Sequence, residues 1–184
     1  MRIIAGAFRG RKLAAPQGHA LRPTADRLRE SLFNILAHGD GPPLEGARVA
    51  DIFAGTGAVG LEALSRGAAQ VTFVEKSAAS LECLQRNIAM LDVTERCRVI
   101  AASARRLPPA DASFDLIFLD PPYRRGLAEP ALAALLAAGW TGPGSRLVLE
   151  TAADEAVALP QGLVEIDRRA SGDSVLLFLA PTVV

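Results

Sequence analysis

Cysteine, lysine and aromatic side chains are scarce in this 184-residue chain, and each scarcity removes a class of protein. The two cysteines, Cys83 and Cys97, stand far apart in sequence, so neither a disulfide framework nor a zinc knuckle is available. They read as buried core thiols of a reducing compartment. The most apolar segment, Ala131 to Gly139, falls far short of the ~20 residues that a membrane-spanning helix needs. Met1-Arg2-Ile3-Ile4-Ala5-Gly6 lacks the apolar stretch of an export signal, and a cytoplasmic protein is expected. His19 and His38 have no carboxylate or second ligand at metal spacing, so no metal is expected.

What is present is a globular composition, 50% hydrophobic and 22% charged, with enough chain for one real core. Formal net charge is zero but unevenly placed. Within residues 1–35 the bases Arg2, Arg9, Arg11, Lys12, Arg22, Arg27 and Arg29 face only Asp26 and Glu30, and the rest of the chain carries the balancing excess of acid. A basic arm before an acidic body points to polyanion contact, because arginines on a mobile segment neutralise phosphates and release counterions. The expected organisation is a basic hairpin and helix over 1–38 followed by a body over 39–184.

Strands are expected at Arg48–Phe53, Gln70–Glu75, Arg98–Ala101, Phe114–Asp120 and Arg146–Glu150, each separated from the next by room for a helix. Leu116-Ile117-Phe118-Leu119 is an unbroken apolar run, as a strand covered on both faces of a parallel sheet requires. Helices fit Val59–Arg66, Ser77–Leu91 with Ser77 as N-cap, and Pro130–Ala138. Leu163–Arg168 and Ser174–Leu179 lie too close for a crossover and read as an antiparallel hairpin. The result is an α/β fold with a seven-stranded mixed sheet, the Rossmann-like arrangement of class I S-adenosylmethionine-dependent methyltransferases. Ahead of it, Ile3–Ala5 and Lys12–Ala14 read as a small hairpin, and a helix starts with Thr24 as cap and Leu28, Leu32, Ile35 and Leu36 as its buried stripe.

Two motifs carry chemistry. In Asp51-Ile52-Phe53-Ala54-Gly55-Thr56-Gly57-Ala58-Val59-Gly60, a strand leads into a helix through the G-x-G-x-x-G spacing that lets backbone approach a nucleotide-like ligand. Glu75 closes the next strand, where an acid can accept both hydroxyl protons of a ribose. NAD and S-adenosylmethionine both present that ribose, but Asp51 at the tip of the first strand suits a sulfonium cation better than a pyrophosphate.

The second motif, Asp120-Pro121-Pro122-Tyr123, follows the buried strand at the edge where open sheets bind ligands. An exocyclic nucleobase amine is a poor nucleophile, because its lone pair is delocalised into the ring. A site that methylates it needs acceptors aimed at its two N–H bonds, to favour a tetrahedral nitrogen and to stabilise the developing positive charge. The Asp120 carboxylate and the Pro121 carbonyl, stiffened by Pro122, supply them, and Tyr123 offers a face for an unstacked base.

Asp/Asn-Pro-Pro-Tyr is a signature of amino methyltransferases. With Phe8-Arg9-Gly10-Arg11-Lys12-Leu13, Arg22-Pro23-Thr24-Ala25-Asp26-Arg27, Asp51 to Gly57 and Leu61-Glu62-Ala63-Leu64-Ser65-Arg66-Gly67, the whole chain resembles the RsmD family of bacterial 16S rRNA guanine-N2 methyltransferases. The resemblance implies S-adenosylmethionine as cofactor, held among Asp51, Phe53, Ala54, Gly55, Thr56, Gly57, Glu75, Lys76, Ser103 and Ala104, with Asp120, Pro121, Pro122 and Tyr123 on the guanine amine. It implies RNA contact by the N-terminal extension, through Arg2, Arg9, Arg11, Lys12, Arg22, Thr24 and Arg27, with Arg22 and Thr24 also closing over the donor or the base pocket; Arg124 and Arg125, placed directly after Tyr123, are expected to extend the phosphate track. Many methyltransferases place an acid or amide after the third strand to meet the donor adenine, whereas Ala101-Ala102-Ser103-Ala104 offers only Ser103. The expected enzyme is a monomer that methylates guanine N2 in 16S rRNA, free or in a small-subunit assembly intermediate. The alternatives are adenine N6 as acceptor, in DNA or RNA, and a donor-binding ribosome-assembly factor without significant turnover.

Overall fold

A computed structural model describes residues 1–15 and 23–182, with residues 23–25 as backbone only. The apolar runs form strands β1 (Arg48–Ile52), β2 (Gln70–Glu75), β3 (Cys97–Ala101), β4 (Leu116–Leu119), β5 (Arg146–Ala152), β6 (Leu163–Ser171) and β7 (Ser174–Pro181). They join in one seven-stranded sheet of order β3-β2-β1-β4-β5-β7-β6. The first five are parallel, and β7 enters antiparallel between β5 and β6. Helices α1 (Pro23–His38), α2 (Ala58–Ser65), α3 (Ala78–Leu91) and α4 (Ala128–Ala137) cover it. Among the described residues no helix is long and apolar enough to cross a membrane.

Alternation along the central strands sorts their side chains into two cores. Val49, Phe73, Phe118 and Val148 pack with Leu28 and Phe33 of α1, Leu61 of α2 and Leu84 of α3. Ala50, Ile52, Ile117, Leu119 and Leu149 face the other way, against Leu132 and Leu135 of α4 and Trp140. Trp140 closes the end of α4, its indole N–H donating to the Pro108 carbonyl at 2.8 Å. Ser77 caps α3 as expected, its hydroxyl accepting the Ser80 amide.

Several boundaries move for physical reasons. Helix α1 begins at Pro23, so Thr24 lies inside it and is not its N-cap. Proline suits the first helical position, because its φ is preset and the amide it lacks would have no partner there. Arg22 and His19 lie outside the described residues. The stripe of α1 comprises Leu28, Leu32, Phe33 and Leu36, with Ile35 only half-buried. Strand β4 is shorter than the apolar pattern suggested and leaves Asp120 beyond its end. The final hairpin is tighter: β6 runs to Ser171 and β7 starts at Ser174, so Gly172-Asp173 alone make the turn. Cys83 is buried, but Cys97 is only half so.

The basic N-terminal segment is not a free arm. It makes one antiparallel bridge, Arg2 to Lys12, instead of two regular strands. Ile3 and Leu13 are buried in the same apolar cluster as α1 and the sheet. Glu62 of α2, fully buried, accepts the amides of Ile4 at 2.7 Å and Ala5 at 3.0 Å. Arg66 pairs with the same carboxylate at 2.7 Å, and the buried Arg29 approaches it at 3.8 Å. Asn87 of α3 accepts the Ala14 amide at 2.7 Å and donates to the carbonyls of Ala14 and Thr56 at 3.1 and 3.0 Å. The segment is thus fastened at both of its described ends, while Arg2, Arg9, Arg11, Lys12 and Arg27 remain exposed.

Candidate active site

Four neighbouring strands carry an acid at or beside their carboxyl ends: Asp51 on β1, Glu75 on β2, Asp120 just past β4 and Glu150 on β5. Strand order brings all four to one edge of the sheet. Between β1 and α2 the chain turns sharply, with Phe53 and Gly57 in the left-handed region at φ 63° and 81°. Phe53 is a bulky side chain in a conformation that favours glycine, the kind of local strain that gathers at ligand sites. At Gly57 a Cβ would lie 2.4 Å from Leu84 Cδ1 of α3, and at Gly60 one would lie 2.4 Å from Phe73 Cε1 of β2, so these two glycines let the start of α2 sit close to α3 and to the sheet. Gly55 is different. A Cβ there would meet nothing nearer than the Phe53 carbonyl at 4.0 Å, which leaves its backbone open to a ligand.

Asp51 is 4% exposed and one of its oxygens accepts the Gly60 amide at 2.8 Å. It therefore serves the first turn of α2 as well as any ligand. Burial, reinforced by the charge of Glu75, lifts its carboxyl to about 7 against the opposing pull of that amide. Glu75 is held by backbone too: Oε2 accepts from Gly55 at 2.8 Å, and Oε1 accepts from Lys76 at 2.8 Å and Ser77 at 2.7 Å. A carboxylate has about four lone-pair sites, so this acid is oriented before any ligand arrives and retains capacity for one.

A cleft of about 140 Å³ joins the two motifs, with Phe53, Glu75, Lys76, Ala104, Asp120 and Pro122 on its walls. Val74, Ala102 and Leu127 complete the lining, and none of these three stood out in the sequence. Ser103 does not line it, and its hydroxyl instead accepts the Arg105 amide at 3.4 Å. Asp51, Ala54, Gly55, Thr56 and Gly57, expected at the donor, do not line it either. A larger cavity of about 400 Å³ between the N-terminal segment and α1, walled in part by Arg2, Arg9, Asp26, Arg27 and Glu30, shares no residue with it.

Asp120 is positioned by its own amide, which donates to the Ile52 carbonyl of β1 at 3.4 Å. The residue opens onto the cleft and is exposed, yet the surrounding concavity desolvates its carboxyl, and the charges of Glu150 and Asp51 add to this, raising it to about 8. Pro121 is buried and Pro122 exposed. The Tyr123 hydroxyl donates to Glu150 and lies 2.8 Å from the Ser174 hydroxyl, so the ring is anchored at its far end. Burial and the Glu150 carboxylate push the Tyr123 phenol well above its ordinary value. Burial also raises Glu150, while the hydroxyls of Tyr123 and Ser174 oppose that rise. Glu150 and Ser174 were not singled out in the sequence, although an acid closing an apolar strand was a signal already present at Asp51, Glu75 and Asp120. Arg125 is exposed, and Arg124 pairs with Asp154 at 2.7 Å. Among the described residues no cluster of His, Cys, Asp and Glu could hold a metal ion.

The chain is similar along its length to proteins of one kind. The family model Conserved hypothetical protein 95 matches residues 1–180. The Ribosomal RNA small subunit methyltransferase D of Haemophilus influenzae is 37% identical over 94% of this chain and 89% of its own. The protein of the same name from Escherichia coli K12 is 42% identical over 82% of this chain and 74% of its own. A solved Escherichia coli structure described as a methyltransferase superposes with a TM-score of 0.84 at 35% identity, covering 98% of this chain and 97% of that one. Its sheet, its glycine turn and its Asp-Pro-Pro-Tyr edge agree with that likeness, and the chain belongs to the Conserved hypothetical protein 95 family as a methyltransferase of the α/β, class I kind.

Proposed function

We propose that this protein transfers a methyl group from S-adenosylmethionine to the exocyclic N2 of a guanine in small-subunit ribosomal RNA, free or partly assembled. The observation that carries this reading is the single cleft lined by both Glu75 and, from the Asp120-Pro121-Pro122-Tyr123 edge, Asp120 and Pro122. Its chemistry fits a cationic, ribose-bearing donor: an oriented carboxylate in Glu75, an open glycine backbone at Gly55, and the acids Asp51 and Asp120, whose ionisation is opposed first by burial and then by neighbouring carboxylates, a cost that a cation relieves. S-adenosylmethionine, when bound, supplies an electrophilic methyl group.

The chain's own residues do the rest. Glu75 accepts from one ribose hydroxyl through its remaining lone pair, while Lys76 and Ala104 flank the nucleoside. Asp120 and the Pro121 carbonyl accept the two N–H bonds of the base amine, turning its lone pair toward the methyl carbon and stabilising the positive charge that develops on nitrogen. The Asp120 carboxylate then takes the proton that the nitrogen loses. Tyr123 supports the unstacked base on a ring held by Glu150 and Ser174. Arg2, Arg9, Arg11, Lys12, Arg27 and Arg125 offer exposed charge for the RNA backbone, and the segment 1–38 acts as its landing surface. An enzyme of ribosomal RNA works where subunits are assembled, in the cytoplasm.

The test is the identity of the methylated nucleoside after incubation with labelled donor and unmodified small-subunit ribosomal RNA. N2-methylguanosine is expected. N6-methyladenosine would move the acceptor to the other amine, and bound donor without product would leave an assembly factor. Asp120→Ala should lower turnover by ~100- to 1,000-fold, the scale of losing one stabilising group at a developing charge. Donor affinity by calorimetry should stay within about twofold, because that carboxylate serves the acceptor.

A further inference from the structure

We infer that Glu150 reads the acceptor base, taking the N1–H of guanine beside the amine that Asp120 holds and turning away bases with a lone pair at N1. This rests on the guanine reading above. Register pairs Leu119 of β4 with Leu149 of β5, and both side chains enter the same apolar core. Asp120, the first residue past β4, and Glu150, the next residue of β5, therefore lie side by side with their backbones about one strand spacing of ~4.8 Å apart, close enough for the charge of Glu150 to act on Asp120.

A second carboxyl this close to Asp120 is costly unless something rich in donors comes between them. Among the described residues no Lys, Arg or His pairs with Glu150. Its polar neighbours are the hydroxyls of Tyr123 and Ser174. Anchoring a tyrosine needs one acceptor and no charge, whereas a carboxylate keeps lone pairs to spare once two hydroxyls are served. Tyr123 also ties Glu150 to the surface on which the base rests. Guanine presents N1–H and N2–H side by side, matching two neighbouring carboxylates. Adenine presents a lone pair at N1 next to its N6 amine, and a carboxylate facing that lone pair repels it.

The probe is 2-aminopurine, which keeps the 2-amino group but carries a lone pair at N1. Once the methylated position is mapped, the RNA is synthesised with guanosine or 2-aminopurine there, and kcat/KM is measured for each. Because 2-aminopurine also lacks O6, the informative quantity is how the guanosine preference changes between variants. Wild type should favour guanosine by about 10- to 100-fold, the scale of one charge-assisted hydrogen bond. Glu150→Gln, whose amide can offer a donor or an acceptor, should cut that preference by about tenfold. Tyr123→Phe, which removes the hydroxyl from Glu150 but leaves the carboxylate, should keep the preference within about twofold even if turnover drops. An unchanged preference in Glu150→Gln, or an equal fall in both variants, overturns the inference, since Glu150 would then act only through Tyr123. Should Glu150→Gln turn over too slowly, the same ratio is read as relative Kd of the two RNAs with S-adenosylhomocysteine present. Wild type methylating adenosine and not guanosine defeats the underlying reading first, before any variant is made.

Discussion

Asp51 and Asp120 hold their protons far above the ordinary carboxylate value of 3.8, at about 7 and about 8. The folded protein therefore binds these protons more tightly than the unfolded chain does, and the associated stability is present in full below the unfolded value and lost as pH rises through 7 to 8. Thermal unfolding of the donor-free protein should show a melting temperature that declines across this window. In Asp51→Asn, which keeps an acceptor for the Gly60 amide but cannot ionise, the decline should be shallower; a decline as steep as wild type would remove Asp51 from this account. The acids themselves were legible in sequence, since Val-Ala-Asp, Phe-Val-Glu and Phe-Leu-Asp each end an apolar run on a carboxylate. Glu150 follows Leu-Val-Leu in the same way, but no turn motif comes after it to mark a ligand edge, and its strand runs on to Ala152. Ser174, 24 residues further on, has no such motif after it either.

The N-terminal segment and helix α2 form a joint that sequence periodicity could not foretell. Ile3–Ala5 and Lys12–Ala14 suggest a hairpin but are too short to show a buried face, so the burial of Ile3 and Leu13 comes from tertiary contacts. Glu62 sits in a helix that is apolar but for it and Ser65, Ala-Val-Gly-Leu-Glu-Ala-Leu-Ser, where it answers two backbone amides and two arginines. Removing one member of such a buried set leaves charge without a partner, so Glu62→Ala should lower stability by about 3–5 kcal/mol in urea unfolding. Protease should then cut within residues 1–15 of the variant well before the sheet; equal resistance in both proteins would mean the segment is held by its apolar contacts and by the hydrogen bonds of Ser65 and Asn87. Arg29 shows the limit of counting charges. It belongs to the basic stretch by composition, yet it is 5% exposed and donates to the Arg2 carbonyl and to Asp26, which withdraws it from any RNA surface.

At the scale of the whole molecule, a chain with no net charge presents Arg2, Arg9, Arg11 and Lys12 together on one exposed segment. Replacing all four by Gln keeps Ile3, Leu13 and the Glu62 contacts in place and, besides charge, removes only the bond from Arg11 to the Met90 carbonyl, which an Arg11→Gln single variant measures by itself. RNA affinity should fall, and the slope of log affinity against log salt should shrink in magnitude by roughly 3–4, at about 0.7–0.9 per phosphate contact. An unchanged slope would assign RNA binding to another surface. The order of strands and helices, the reversal at β7 and the carboxyl-edge position of both motifs were all legible, because alternating apolar runs and crossover lengths leave few ways to wind a sheet. The fastening of the N-terminal segment to this frame was not, because its partners are remote in the chain.

That remoteness sets a timetable for biosynthesis. Ile4 meets Glu62 across 58 residues and Ala14 meets Asn87 across 73, so the first residues to leave the ribosome must wait for helices that do not yet exist. At about 5–20 residues per second, the wait for Glu62 alone is roughly 3–12 s. During it a short cationic tail stands unfolded beside the ribosome's own RNA, and it can dock only after α2 has emerged.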